Sequence, residues 1–215
     1  MSGRLSRLAP LTGVLFAVMG VAAGMSGGET PNANASASKV IAYYTSHHSE
    51  IETSSILFAL TFLVGVLFAA SLRSYLRRTP AAEGAAAIVP VGAAIMLIGA
   101  ALGAGVEYGL AHNISHLSPA AAQAVNVVSN EIFLPLLAGV CVFSLASGVA
   151  ILRGAALPKW LGWVAIVMGI AALIPPAFFP MLILLVLWSI VVSILMYRRS
   201  GGSVGATNTP ATQLA

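Results

Sequence analysis

The sequence predicts an all-α polytopic membrane helix bundle: six transmembrane helices with both termini cytoplasmic, plus a short amphipathic helix on the outer side. Three observations carry this. Of 215 residues, 59% are hydrophobic and 7% charged, against about 25% charged in soluble domains, and mean hydropathy is +0.96. The apolar residues form runs long enough to cross a bilayer. The ten basic residues sit at the ends of those runs, and an alternating path through the membrane leaves nine of them on one side, the pattern of positive-inside sorting.

The first span runs from Leu8 to Met25 behind Arg4 and Arg7; at about 1.5 Å per residue it crosses a hydrocarbon core of about 30 Å. A cleaved signal peptide would show the same basic residues, apolar stretch and small residues Ala22, Ala23 and Gly24. Gly20, Gly24 and Gly28, four apart, instead favour a retained helix that another can approach closely. Gly27 to Ser38 is a polar linker, and Lys39 to His48 reads as a short amphipathic helix at the outer surface.

The second span, about Thr53 to Leu76, ends among Arg73, Arg77 and Arg78, after which Thr79 and Pro80 begin a turn. The third, about Ala85 to Ala111, holds Gly99, Gly103, Gly105 and Gly109. These form two small-xxx-small pairs that predict a helix buried within the bundle. Ser118 followed by Pro119 is a helix start, serine as cap and proline in the first turn. In the opening of that helix Gln123, Asn126 and Asn130 make one polar stripe, before the fourth span proper from Ile132 to Leu152.

Pro158 opens the fifth helix, which reaches about Ile174 before Pro175, Pro176 and Pro180; the sixth runs from about Phe178 to Tyr197. A re-entrant hairpin would put Lys159 and Arg198 on one side just as two spans would. We count two spans. Residues 1–199 then form a single transmembrane domain and 200–215 a disordered cytoplasmic tail rich in Gly, Ser and Thr. With the N-terminus inside, every basic residue except Lys39 is cytoplasmic, which suits a plasma-membrane protein.

Several stretches carry a resemblance: LAPLTGVLF in the first span, SASKVIAYYTSHHSEI before the second and LSPAAAQAVNVVSNEIFLPL before the fourth, with ALPKWLGWVAIVMGIAALIPP through the fifth and VVSILMYRR at the end. Together they resemble a family of small bacterial integral membrane proteins without an assigned activity, over almost the whole chain. The resemblance implies architecture rather than chemistry. Where such proteins tend to carry Asp-rich sequence between spans three and four, this chain has His112, Asn113, Ser115 and His116.

Several function classes find no support. There is no phosphate-cradling Gly loop, dinucleotide fingerprint, HExxH or GxSxG. The lone Cys141 lies in an apolar run, so no disulfide framework or Cys-based metal motif exists. The pI near 9.6 reflects residues at span ends rather than a basic patch, so no nucleic-acid partner is expected. The partners expected are the lipid bilayer, with Arg73, Arg77 and Arg78 on anionic headgroups, and a membrane protein or second copy packed on the Gly-rich helices.

Chemistry has few places to sit. Glu107 and Glu131 are the only carboxylates embedded in otherwise apolar segments. Each lies about 22 residues, or roughly 33 Å, from the inner end of its span, which puts both at the outer boundary of the hydrocarbon. There a charge costs less than the roughly 2.5 to 3.5 kcal/mol of mid-membrane placement. Both are candidates for an ion or proton site. Pro135 has no amide to bond the Glu131 carbonyl, leaving that oxygen free near its own carboxylate.

All four histidines, His47, His48, His112 and His116, fall on the outer side with Glu29, Glu50 and Glu52. If the third helix runs on, His112 and His116 face one way at a spacing that suits Zn²⁺, with Glu107 as a further ligand; loop histidines are the plainer expectation. No cofactor is expected beyond that possible zinc. Trp188, Met181 and Met96 read as packing or lipid-facing residues. The sequence points to a non-enzymatic membrane protein, with a small proton- or cation-linked transporter as first alternative and a metal-dependent membrane hydrolase at the outer His and Glu residues as second.

Overall fold

A computed structural model describes residues 8–26 and 28–201. Arg4, Arg7 and 202–215 lie outside the described residues, so the tail expected from 200 is described only at its first two positions, which are helical. Eight α-helices and four short 3₁₀ turns make up the described chain: α1 Thr12–Ser26, α2 Ala37–Ser46, α3 His48–Leu76, α4 Glu83–Asn113, α5 Pro119–Glu131, α6 Leu134–Gly154, α7 Lys159–Ala171 and α8 Phe178–Gly201. No strand occurs among the described residues.

Five segments are long and apolar enough to cross a membrane: Ala9–Ser26, His48–Leu76, Pro80–His116, Pro119–Gly154 and Phe178–Arg199. The sixth apolar helix, α7, has only 13 residues, about 20 Å. It stops where the chain turns toward a 3₁₀ turn at Pro175–Ala177, since prolines lack the amides a helix needs.

Six apolar helices close a ring. α1 packs against α3 and α8, α3 against α4, α4 against α6, α6 against α7, and α7 against α8. Across its interior runs a chain of aromatic rings. Phe16 of α1 stacks near Phe68 of α3 with centroids 6.2 Å apart, Phe68 meets Phe143 of α6 at 6.4 Å, and Phe143 meets Trp188 of α8 edge-on at 6.1 Å. Trp188 is buried, and its indole N–H donates to the Leu161 carbonyl at 3.0 Å, as a buried indole requires. Met96 is buried too.

The glycines expected to pack the third span divide. At the α4–α6 crossing a β-carbon on Gly99 would strike the Leu136 backbone, one on Gly92 the Phe143 backbone, and one on Gly139 the Met96 backbone. Such backbone-to-backbone approach is what small residues allow between membrane helices. Gly105 and Gly109 face open space instead. The expectation of a third helix buried within the bundle is corrected in part: the half toward Asn113 has an exposed side, carrying Leu102 and Tyr108.

A second, smaller apolar cluster forms a cap at one end of the bundle from Ala35, Val40, Tyr44, Ile51, Leu110, Ala111, Ile114 and Ala122. Ser36 caps α2 by accepting from the Lys39 amide, and Ser118 caps α5 by accepting from the Ala121 amide. The polar stripe on α5 fastens the linker to this cap. Gln123 donates to the Ala35 carbonyl at 3.2 Å, Asn126 to that of Asn32 at 3.0 Å and Asn130 to that of Pro31 at 3.1 Å. At the opposite end Thr79 donates to the Gly154 carbonyl at 2.9 Å, and Tyr75 and Arg199 both reach that of Ala156.

Candidate functional site

The polar side chains at the capped end form two groups. In the first, α4 carries the half-buried Glu107 to α5, where the Ser129 hydroxyl donates to its Oε1 at 3.5 Å. Tyr44 of α2 is enclosed beside them, and its hydroxyl makes no hydrogen bond. Burial first, and the Glu107 carboxylate second, push Tyr44 above the ordinary tyrosine range. Tyr43 is raised by burial and then by Glu107, Glu50 and Glu29. Its ring stacks on His47 with centroids 4.4 Å apart.

The second group joins α3 to α4. Nδ1 of His112 lies 2.9 Å from Oε1 of Glu52, and Nε2 of His48 lies 3.6 Å from the same oxygen. His112 also stacks on Tyr108, centroids 5.6 Å apart and planes 8° from parallel. Helical spacing explains half of this: His48 and Glu52 are i,i+4 on α3, while Tyr108 and His112 are i,i+4 on α4. The other half is the register between two helices, which spacing along one chain does not encode.

The zinc arrangement expected of His112, His116 and Glu107 is not assembled. α4 ends at Asn113, whose side-chain amide donates to the Gly109 carbonyl at 2.9 Å, and a 3₁₀ turn carries His116 away as an exposed residue. His112 bonds Glu52 rather than Glu107. Among the described residues no three His, Cys, Asp or Glu side chains group so as to hold a metal ion.

Glu131 is exposed, at the last position of α5. Pro135, expected to leave the Glu131 carbonyl free, stands just past a break in the helix: Ile132 and Phe133 form a turn and Pro135 sits in the first turn of α6. No hydrogen bond or ion pair joins Glu131 to Glu107. Sequence reasoning missed the enclosed hydroxyls of Ser144 and Ser147 on α6 and Ser189 and Ser193 on α8, none of which makes a hydrogen bond. Ser193 packs where Gly13 of α1 leaves room. Their weak signal was serine inside runs of large apolar residues.

No family model, curated protein or solved structure matches this chain.

Proposed function

We propose that the chain is a non-enzymatic, multi-pass plasma-membrane protein with six spans and both termini cytoplasmic, acting as a packed membrane scaffold with a fixed outer cap. The aromatic chain from Phe16 through Phe68 and Phe143 to Trp188 carries this reading, because it fills the ring's interior with side chains from four helices. The backbone contacts at Gly92, Gly99 and Gly139 make the same interior stiff. α7 supports six spans by holding a full place in the ring between α6 and α8. The orientation is supported by Arg73, Arg77, Arg78, Arg153 and Lys159 at the helix ends opposite the cap. The resemblance to small bacterial membrane proteins favours the same arrangement.

A second reading, a proton- or cation-linked transporter, is favoured by Glu107 beside Ser129 and the unbonded Tyr44 hydroxyl. One experiment separates the two. Purified protein in proteoliposomes under a pH gradient is expected to leak protons and Na⁺ no faster than empty vesicles, with or without Glu107→Gln. Flux abolished by that substitution would overturn the scaffold reading in favour of transport.

A further inference from the structure

On the lipid-facing side of α3 and α4 lies a notch of about 260 Å³, lined chiefly by Ser55, Ala59, Ala101, Ala104, Gly105 and Tyr108. It exists because small residues recur at helical spacing on both walls: Ser55 and Ala59 on α3, and Ala101, Gly105 and Ala104 on α4. Each wall continues outward into the polar group already described. Glu52 precedes Ser55 by three residues on α3, and His112 follows Tyr108 by four on α4, so an apolar slot ends, one turn outward, in the His48–Glu52–His112 cluster. Ser55 is 8% exposed and lines the slot.

We propose that this notch binds one phospholipid with a primary-amine headgroup, a length of acyl chain in the slot and the ammonium on Glu52. The volume is below the roughly 300–1,000 Å³ of small-molecule pockets and open at the side, which suits part of one chain whose remainder lies in the bilayer. At the slot's outer end stands the Glu52 carboxylate with the imidazoles of His48 and His112 on one of its oxygens and no lysine or arginine in the lining, so the second oxygen favours a cation over an anionic headgroup. An ammonium offers three N–H donors, matched by the Glu52 oxygens and the imidazoles beside them, with the Tyr108 ring within the same wall. The Ser55 hydroxyl supplies a polar contact at ester depth. A transmembrane helix fits less well, because Ile56 in the lining and Ile98 and Leu102 on α4, each about half exposed, interrupt the flat small-residue surface a crossing helix needs.

The test uses full-length protein reconstituted in vesicles of equal parts phosphatidylethanolamine, phosphatidylcholine and phosphatidylglycerol, released into mild detergent and examined by native mass spectrometry. One phosphatidylethanolamine retained per chain is expected, with retention at least tenfold lower in both Glu52→Gln and Gly105→Leu. A β-carbon at Gly105 meets nothing within 4 Å, so the backbone there leaves room for a side chain, and an unchanged melting midpoint in lipid-free detergent is the check that the variant folds. Equal retention of the three lipids, or phosphatidylethanolamine retention indifferent to Gly105→Leu, overturns the proposal. So does a dimer that Gly105→Leu dissociates, which would assign the notch to a second copy of the chain.

Discussion

Gly139 of α6 lies so close against Met96 of α4 that no β-carbon fits between them. The obstacle is backbone, which cannot swing aside as a side chain can. Gly139→Val is therefore expected to destabilise the bundle by about 3 kcal/mol or more, the upper range for overpacked cores. Gly105→Ala, which meets nothing, should stay within about 0.5 kcal/mol. Unfolding in mixed micelles with increasing denaturing detergent measures both.

Asn126 fastens the linker by donating to the Asn32 carbonyl, yet its own Oδ1 is buried without a partner. Removing the side chain loses one hydrogen bond but also one unsatisfied acceptor. Asn126→Ala should cost about 1 kcal/mol rather than the 1–3 kcal/mol of a plain buried loss. Amide exchange at 32–36 should quicken while that of α4 and α6 is unchanged.

Tyr44 gives the cap an alkaline limit. Its folded-state value lies above the ordinary 10.0 because burial penalises the phenolate first and Glu107 second. Stability is thus complete below pH 10 and falls as pH rises past it, since the unfolded chain releases a proton that the folded one keeps. Melting midpoints measured from pH 8 to 12 should decline less steeply in Tyr44→Phe than in the wild type. At neutral pH the variant should be as stable, because the hydroxyl it removes has no partner.

At the end of α6, Ala155 adopts φ 48°, a left-handed conformation in which its β-carbon crowds the following carbonyl. Ala155→Gly is expected to stabilise the protein by about 1 kcal/mol. Ala155→Val should do the reverse, its branched carbon fitting that region worse. Thermal melts of the two variants against wild type measure this.

Local signals in the sequence were read correctly where the cause was itself local. Ser118 and Pro119 start α5 as their chemistry requires, and the prolines after Ile174 end the fifth helix. The stripe of Gln123, Asn126 and Asn130 was visible, but its partners were not: each carbonyl it bonds lies about 90 residues away. The histidines failed for a related reason. His112 and His116 satisfy a helical spacing only if the helix continues, and Asn113 ends it by bonding the Gly109 carbonyl. Glu52 became the partner of His112 through the relative slide of α3 and α4, fixed by packing along their whole length.

The cap and the helix bundle are built around separate apolar clusters that share helices but no buried side chain. Opening one therefore need not open the other. Heat or denaturant is then expected to release the layer of α2, the linker and α5 while the rods beneath stay in place, giving two cooperative units with the cap opening first.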